Sequence, residues 1–420
     1  MTPAATTAGP TARDLADGLT ADTAAAGTTP VTATGPAALL RTARDLADDL
    51  AADAIPRDRA GRPPADEAAR LREAGLPSAL VPPGTGYGTD WRTGCAVVRE
   101  VATADSSVGE LLARHYALAW SARLYGPPDR ADTLARDSAR RRWLWAGALR
   151  YAAGPEEGGR PDLTLTPLGG AGHVLNGRRA VPAALAVADQ LVVDAVCAVT
   201  GDVLVVRVAP GGRGVAVETA GDRLGQRAAG AGTVVFDRVT VPPARLVGRR
   251  PPDEESAPPT AALAPSVLRL ALCHVGLGIV EGALAEARDA VRTARRAGPP
   301  DGDPDLLLAY GELASAAHTA AAVVERATDA TADALDAGPG LDADAPADVA
   351  ALVATAETVT ARAALHVTTR VLELADAPGL DRFWRNARVL TAHRSPTHRL
   401  RSIGDHYLNG THRHVTAPCR

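Results

Sequence analysis

The sequence contains no lysine, since all 45 of its basic residues are arginine. Without lysine the chain cannot form a Schiff base with a carbonyl substrate, and it cannot hold a nucleotide phosphate through a P-loop lysine. Methionine and phenylalanine are also scarce, whereas alanine, glycine, proline and arginine are abundant. This bias is typical of a GC-rich bacterial genome, such as that of an actinobacterium, and we attach no function to it.

Cysteine is rare too, and Cys95, Cys197, Cys273 and Cys419 stand far apart with no C-x-x-C pair. We therefore expect no structural zinc site and reduced thiols in a cytoplasmic protein. The chain does not open on a basic segment followed by an apolar run, and no stretch reaches about 18 uninterrupted apolar residues, so neither a signal peptide nor a membrane span is predicted. The net charge of −4 provides no broad positive field for nucleic acid or a membrane surface.

Local composition divides the chain into four parts. Residues 1–35 are mostly Thr, Ala, Gly and Pro and predict a disordered tail, whereas residues 36–146 have the apolar spacing of helices. Valine-rich runs broken by Gly, Asp and Pro in residues 147–248 predict a small antiparallel barrel or sandwich. Long apolar helices return in residues 249–420 and suit a bundle of four or five helices. The predicted class is therefore α+β and mostly α.

The predicted elements follow the same patterns. The expected helices are Leu39–Leu50, Glu67–Leu76, Cys95–Ala104, Ser107–Leu124, Asp129–Arg141, Val267–Val280, Leu306–Ala334 and Ala347–Leu374. The expected strands are Leu191–Val199, Val203–Val208, Gly214–Glu218, Thr233–Phe236 and Val239–Val241.

This order of elements, together with several local strings, resembles the acyl-CoA dehydrogenase superfamily over about residues 40 to 410. The strings that carry the resemblance are Ile55–Arg62, Leu71–Leu76, Leu175–Arg179, Val187–Asp189, Gly225–Arg227 and Val234–Pro242. Two further groups of strings resemble one branch of the superfamily. The first is Ala104–Val108 leading to His115-Tyr116, and the second is Leu380–Arg388 with His393 and Ile403–Gly410. That branch contains the dibenzothiophene and dimethylsulfone monooxygenases and related N-oxygenases. The resemblance implies reduced flavin and oxygen as reactants.

The dehydrogenases of this superfamily use a glutamate to take the proton α to a thioester. Its two family positions fall on Arg394 and near Leu268 here, and neither offers a carboxylate. The monooxygenase branch has a histidine at the position of His393, which could donate or accept a proton during oxygen transfer. The resemblance therefore implies His393 and Arg394 as catalytic residues, although a capping histidine in an Arg-rich segment is the plainer interpretation.

The resemblance also implies a substrate cavity beside the helix that carries His115 and Tyr116. His115 is then a second catalytic candidate, and Tyr116, Trp120 and Asn386 are candidate cavity residues. The alternative for His115 is a core histidine with satisfied ring nitrogens.

The flavin site implied by the resemblance starts at Ala148-Leu149-Arg150 and continues at Ala183. The stretch Ala180–Ala184 lacks the hydroxyl that the family places there, so polar partners for a flavin are missing. Arg227 and Arg295 are candidate phosphate ligands because guanidinium groups bind phosphate with two parallel hydrogen bonds. The implied cofactor is reduced FMN or FAD.

Histidines crowd the C-terminal segment, but we expect no metal site there. His412 and His414 do not have the i, i+4 spacing of helical ligands, and Arg413 between them would repel a cation.

Three functions remain open from the sequence. The first is a flavin-dependent monooxygenase acting on sulfur, nitrogen or carbon of a small molecule in natural-product biosynthesis. Because no G-x-G-x-x-G follows a strand, a separate reductase would supply its flavin. The second is a flavin-free dehydratase, cyclase or isomerase using His115, His393, Arg150 and Arg394. The third is a non-catalytic binding or scaffold protein. The resemblance implies a homotetramer or homodimer formed through the helix bundle.

Overall fold

The computed structural model describes residues 35–81, 88–149, 162–251, 257–296, 304–392 and 396–410. Of the predicted tail, residues 1–34 fall outside them. The N-terminal helices are α1 Pro36–Ala52, α2 Ala54–Ala60, α3 Ala65–Glu73, α4 Trp91–Ala104, α5 Ser106–Tyr125 and α6 Pro128–Arg141. Asp90 and Asp105 cap α4 and α5, since their carboxylates accept hydrogen bonds from free N–H groups of the first helical turn.

The middle of the chain forms one mixed sheet. Its strands are β1 Trp145–Ala148, β2 Leu163–Pro167, β3 His173–Val181, β4 Gln190–Cys197, β5 Val203–Val208, β6 Val215–Thr219, β7 Gly232–Val241 and β8 Leu246–Arg250. The order is β6-β7-β3-β2-β4-β5-β8, and β1 lies beside β4. Both β1 and β2 run parallel to β4, while the other pairs are antiparallel. The prediction of a purely antiparallel sheet is therefore wrong at these two pairings.

The C-terminal helices are α7 Pro259–Ala262, α8 Ala264–Arg296, α9 Pro304–Ala337, α10 Ala345–Leu374, α11 Asp381–Thr391 and α12 Pro396–Asn409. The central helix is α8, which packs against α4, α5, α9 and α10. Gly278 allows the close approach to α4, because a Cβ atom at this position would lie 2.6 Å from the Cβ of Ala102.

Within the described part of the chain, two helical stretches are long and apolar enough, by length and composition, to cross a membrane: Pro259–Arg296 and Asp305–Gly340. Most of the apolar window in the first is buried inside the protein, as expected of a core helix, but only 33% of that in the second is buried. The surface of α9 therefore exposes apolar side chains, including Leu307 and Leu308.

Candidate active site

A cavity of about 740 Å³ lies between the sheet and the C-terminal helices. This volume is in the range of pockets that hold cofactors and small ligands. The sheet side is formed by the ends of β1 and β3 and by β6, β7 and the loop between them. The helix side is formed by α8, α10, α11 and α12, with one residue from α5. The cavity therefore lies where the strand region meets the helix bundle.

The sheet side of the cavity is mostly small and apolar. Ala148 and Leu149 line it, as do Ala180, Val181 and Pro182. The buried guanidinium of Arg179 holds this wall from behind: it donates to the Ala148 carbonyl at 2.9 Å and pairs with the carboxylates of Asp162 and Asp194 at 2.6 and 2.8 Å. Thus β1 and β3 present small apolar side chains to the cavity, and Arg179, which is not among the lining residues, holds the two strands together by ionic contacts.

The helix side combines apolar and polar residues. Leu268, Leu272 and Gly276 on α8 line it. A Cβ atom at Gly276 would lie 2.6 Å from Cγ2 of Thr360 on α10, so the glycine allows the two helices to approach closely. Leu268, near which the second family position for a dehydrogenase glutamate falls, brings only apolar surface into the cavity.

The polar part of this wall contains Arg269 and a cluster that we call the Glu357 cluster, made of Glu357, Thr360 and Arg399. The guanidinium of Arg399 donates from Nη1 to Oε1 of Glu357 at 3.0 Å. Cys273 lies nearby on α8, and burial, with a smaller effect of the Glu357 charge, raises the pKa of its thiol. The thiol is therefore protonated at neutral pH and is a poor nucleophile.

Arg114 is the residue through which α5 reaches the cavity. Its Nε donates to the carboxylate of Glu110, one helical turn earlier, at 2.7 Å. Sequence reasoning missed Arg114, Glu357 and Arg399. A usable sign existed for Glu357, because it is the one charged residue between Asp348 and Arg362 of a helix that is otherwise rich in Ala and Val.

His115, predicted as a catalytic candidate, does not line this cavity. Its Nδ1 accepts a hydrogen bond from the Trp145 amide at 3.0 Å, so Nε2 carries the proton and donates to the Pro77 carbonyl at 2.8 Å. Burial lowers its pKa to about 4, despite the opposing effect of the Pro77 carbonyl. Both nitrogens are thus engaged with backbone, and the geometry is that of the core histidine considered as the alternative.

Tyr116 and Trp120 are likewise turned away from the cavity. The Tyr116 hydroxyl donates to the Leu76 carbonyl at 2.8 Å, and the Trp120 indole donates to the Leu80 carbonyl at 3.1 Å. Both line a separate space of only about 20 Å³ under the N-terminal helices, which has no room for a substrate. Their placement corrects the prediction that they line a substrate cavity.

Asn386 joins three parts of the chain instead of lining the cavity. Its Oδ1 accepts from the Gln226 amide at 2.6 Å, and its Nδ2 donates to the Ser106 hydroxyl at 2.9 Å. These bonds tie α11 to the β6–β7 loop and to the first turn of α5. The prediction of a substrate contact is corrected to a structural clamp.

Only some of the predicted cofactor-binding residues line the cavity. Ala148 and Leu149 line the cavity, whereas Ala183 is 1% exposed and lies behind the wall. Arg227 lies against Gly61 and 3.6 Å from the Asp222 carboxylate, and Arg295 is exposed in the last turn of α8. The structure does not bring these two arginines to the described lining.

Three predicted residues, Arg150, His393 and Arg394, lie outside the described residues. Arg150 follows Leu149 directly in the chain. His393 and Arg394 fall between Thr391 and Arg399, both of which line the cavity.

Comparison with known proteins connects this geometry to a family. Residues 270–397 match the model of the acyl-CoA dehydrogenase C-terminal domain. The chain is 30% identical to the dibenzothiophene monooxygenase of Mycolicibacterium goodii over 376 residues, which is 84% of this chain and 90% of that protein. It is also 30% identical to a protein of Pseudomonas putida named "Probable FMNH2-dependent monooxygenase", over 85% of this chain and 91% of that protein.

Comparison with solved structures leads to the same family. The FMN-bound dibenzothiophene monooxygenase of Paenibacillus sp. A11-2 superposes with a TM-score of 0.82 at 28% identity, covering 90% of this chain and 98% of that one. The same enzyme has also been solved with FMN and indole. The predicted fold and family are therefore confirmed, and the chain belongs to the dibenzothiophene monooxygenase family, a flavin-dependent monooxygenase branch with the acyl-CoA dehydrogenase fold.

Proposed function

We propose that the protein is a monooxygenase that takes reduced FMN from a separate reductase and transfers one atom of O2 to sulfur, nitrogen or carbon of a small molecule. The observation that carries the proposal is the cavity of about 740 Å³ between the sheet and the bundle, in a chain that matches reduced-flavin monooxygenases over most of its length. Bound reduced flavin supplies the electrons that activate O2.

The lining of the cavity fits a flavin. A planar ring system needs a smooth apolar surface, and Ala148, Leu149 and Val181 form one. Thr233 and Arg223 stand at the edge of the same wall, where a hydroxyl and a guanidinium suit the polar groups of a flavin. In this proposal Thr233 and Arg223 would supply polar contacts in place of the hydroxyl that the stretch Ala180–Ala184 lacks.

The chain's own residues would bind and orient the reactants and exclude water. We assign proton donation and acceptance to His393, because a histidine titrates in the range that oxygen transfer requires and its chain neighbours Thr391 and Arg399 line the cavity. Arg394 would add positive charge beside it. Acyl-CoA dehydrogenation is disfavoured, since both family positions for its base, Leu268 and Arg394, lack a carboxylate.

The setting of the enzyme is part of the proposal. Exposed Leu307 and Leu308 on α9, which are 67% and 64% accessible, support a homodimer or homotetramer formed through the bundle. We place the enzyme in an actinobacterium, for which the GC-rich composition is the support, and extend the proposal to a cytoplasmic role in natural-product biosynthesis. We expect no nucleic acid and no membrane as partners.

Oxygen transfer is the direct test. The purified protein would be incubated with a flavin reductase, NADH, FMN and ¹⁸O2 and a panel of sulfides, indoles and amines, and products analysed by mass spectrometry. One ¹⁸O atom in a product is expected, and its formation should stop in the His393→Ala variant while FMN binding persists. Peroxide as the sole product with every substrate class would count against a monooxygenase. Failure to bind any flavin would favour the flavin-free alternative.

A further inference from the structure

The helix side of the cavity holds buried polar atoms that have no partner within the described part of the chain. Oε2 of Glu357, the hydroxyl of Thr360 and Nε of Arg399 are all buried without a hydrogen bond. Thr360 and Arg399 are only 4% and 6% exposed, and all three residues line the cavity. Buried polar atoms in folded proteins normally have partners, so such a group in a ligand cavity points to the ligand.

Thr360 differs from three other threonines of its helix. Thr355, Thr358 and Thr368 on the same helix each donate to the carbonyl four residues earlier, at 2.8, 2.8 and 2.6 Å. Thr360 makes no such bond although its helix continues unbroken. Its hydroxyl is therefore available to a molecule in the cavity.

The charges of the cluster define what it can bind. Oε1 of Glu357 is already occupied by Arg399, so the charges of these two residues offset each other within the cluster. The groups left for a ligand are one hydrogen-bond acceptor, Oε2 of Glu357, and two donors, the N–H of Arg399 and the hydroxyl of Thr360. A neutral group with an N–H next to a carbonyl, as in a secondary amide or lactam, matches both halves.

We infer that the Glu357 cluster is the specificity-determining contact of the enzyme and binds an amide-like group of the substrate. Glu357 would accept the substrate N–H, while Thr360 and Arg399 would donate to its carbonyl oxygen. An aromatic sulfide without polar hydrogens would leave all three groups unpaired in the cavity, which disfavours it. The inference rests on the proposed function in one respect: the flavin lies against the sheet side, which leaves the helix side to the substrate.

Matched bicyclic probes test the inference without knowledge of the natural substrate. Indole has an N–H but no carbonyl, 1-methyl-2-oxindole has a carbonyl but no N–H, and 2-oxindole has both side by side. Their affinities for the full-length protein would be measured by calorimetry, with and without FMN. We expect 2-oxindole to bind at least about tenfold more tightly than the other two, since a hydrogen bond to a charged group carries that much affinity.

Two variants with matched controls separate recognition from folding. Glu357→Gln keeps an oxygen for Arg399 but replaces the accepting Oε2 by an N–H2 donor, so the preference for 2-oxindole over 1-methyl-2-oxindole should fall about tenfold. Glu373→Gln, at an exposed position of the same helix, is its control. Thr360→Val should weaken 2-oxindole binding, whereas Thr358→Val, which removes a buried hydroxyl already bonded to backbone, should not.

The outcomes distinguish this inference from the proposed function. Equal binding of the three probes by the wild-type protein, or no binding of 2-oxindole, overturns the inference even if FMN binds. A loss of FMN affinity in Glu357→Gln with probe binding unchanged also overturns it, because the cluster would then contact flavin. If no flavin binds in any redox state the proposed function fails, yet the probe preference can still be measured in the cavity.

Discussion

The two buried histidines make the protein sensitive to mild acid, and His115 allows this to be measured. Burial lowers the pKa of His115 to about 4 and that of His274 to about 3. Both are neutral in the folded protein but take up a proton on unfolding below the unfolded value of about 6.5. The stability that the two neutral histidines contribute to the folded state is therefore fully present above pH 6.5 and is lost as the pH falls towards 4. Each histidine should therefore make the free energy of unfolding about 1.4 kcal/mol lower at pH 5.5 than at pH 7.5.

Replacing His115 by Phe should remove the part of this acid sensitivity that comes from His115. The variant loses stability at every pH, by about 2–4 kcal/mol, because the Trp145 amide and the Pro77 carbonyl lose their partner. Its further loss between pH 7.5 and 5.5 should be about 1.4 kcal/mol smaller than that of the wild type. Urea unfolding followed by tryptophan fluorescence at both pH values measures the difference, and His318→Gln, at an exposed position of α9, is the control. An equal acid loss in His115→Phe and wild type would refute the assignment of His115 as a buried neutral histidine.

Three further predictions concern the clamp, the helix contact and the proposed proton donor. Asn386→Ala should lower the free energy of unfolding by about 2–4 kcal/mol in urea titrations, since it leaves a buried amide and a buried hydroxyl unpaired; a change under about 0.5 kcal/mol would contradict the clamp. Gly276→Val should force α8 away from Thr360, and should therefore lower both the melting temperature and the affinity for 2-oxindole. If neither value changes, the two helices can separate freely and the close contact is not needed. His393→Ala should lower turnover at least about a hundredfold with little change in FMN affinity, and normal turnover would remove His393 from the mechanism.

The helices were predictable from sequence because their apolar residues face one continuous core. Helices α1, α4, α5, α8 and α10 all lie where apolar spacing placed them. Strand β3 was missed because it carries two successive arginines. Arg179 is nonetheless buried, since Asp162, which directly precedes β2, and Asp194 of β4 neutralise it. Pairing of this kind depends on residues that are distant in sequence, and local pattern does not reveal it.

The candidate site was predictable in location but not in detail. The resemblance indicated the sheet edge at Ala148-Leu149, and the structure places both residues in the cavity. It also directed attention to His115, whereas the neighbouring Arg114 is the residue that lines the cavity. Successive helical residues are rotated by about 100°, so a single step decides whether a side chain meets the cavity or the core. Sequence resemblance alone does not fix that rotation.

The central claim is that reduced FMN binds in the cavity between the sheet and the bundle. Anaerobic calorimetric titration of reduced FMN into the wild-type protein and into Ala148→Trp tests it most directly, because the indole would fill the sheet side of the cavity. Ala216→Trp, on the exposed surface of β6, is the matched control. We expect micromolar or tighter binding to the wild type and the control and at least about a hundredfold weaker binding to Ala148→Trp. Binding that is absent from the wild type, or that is unaffected by Ala148→Trp, would contradict it.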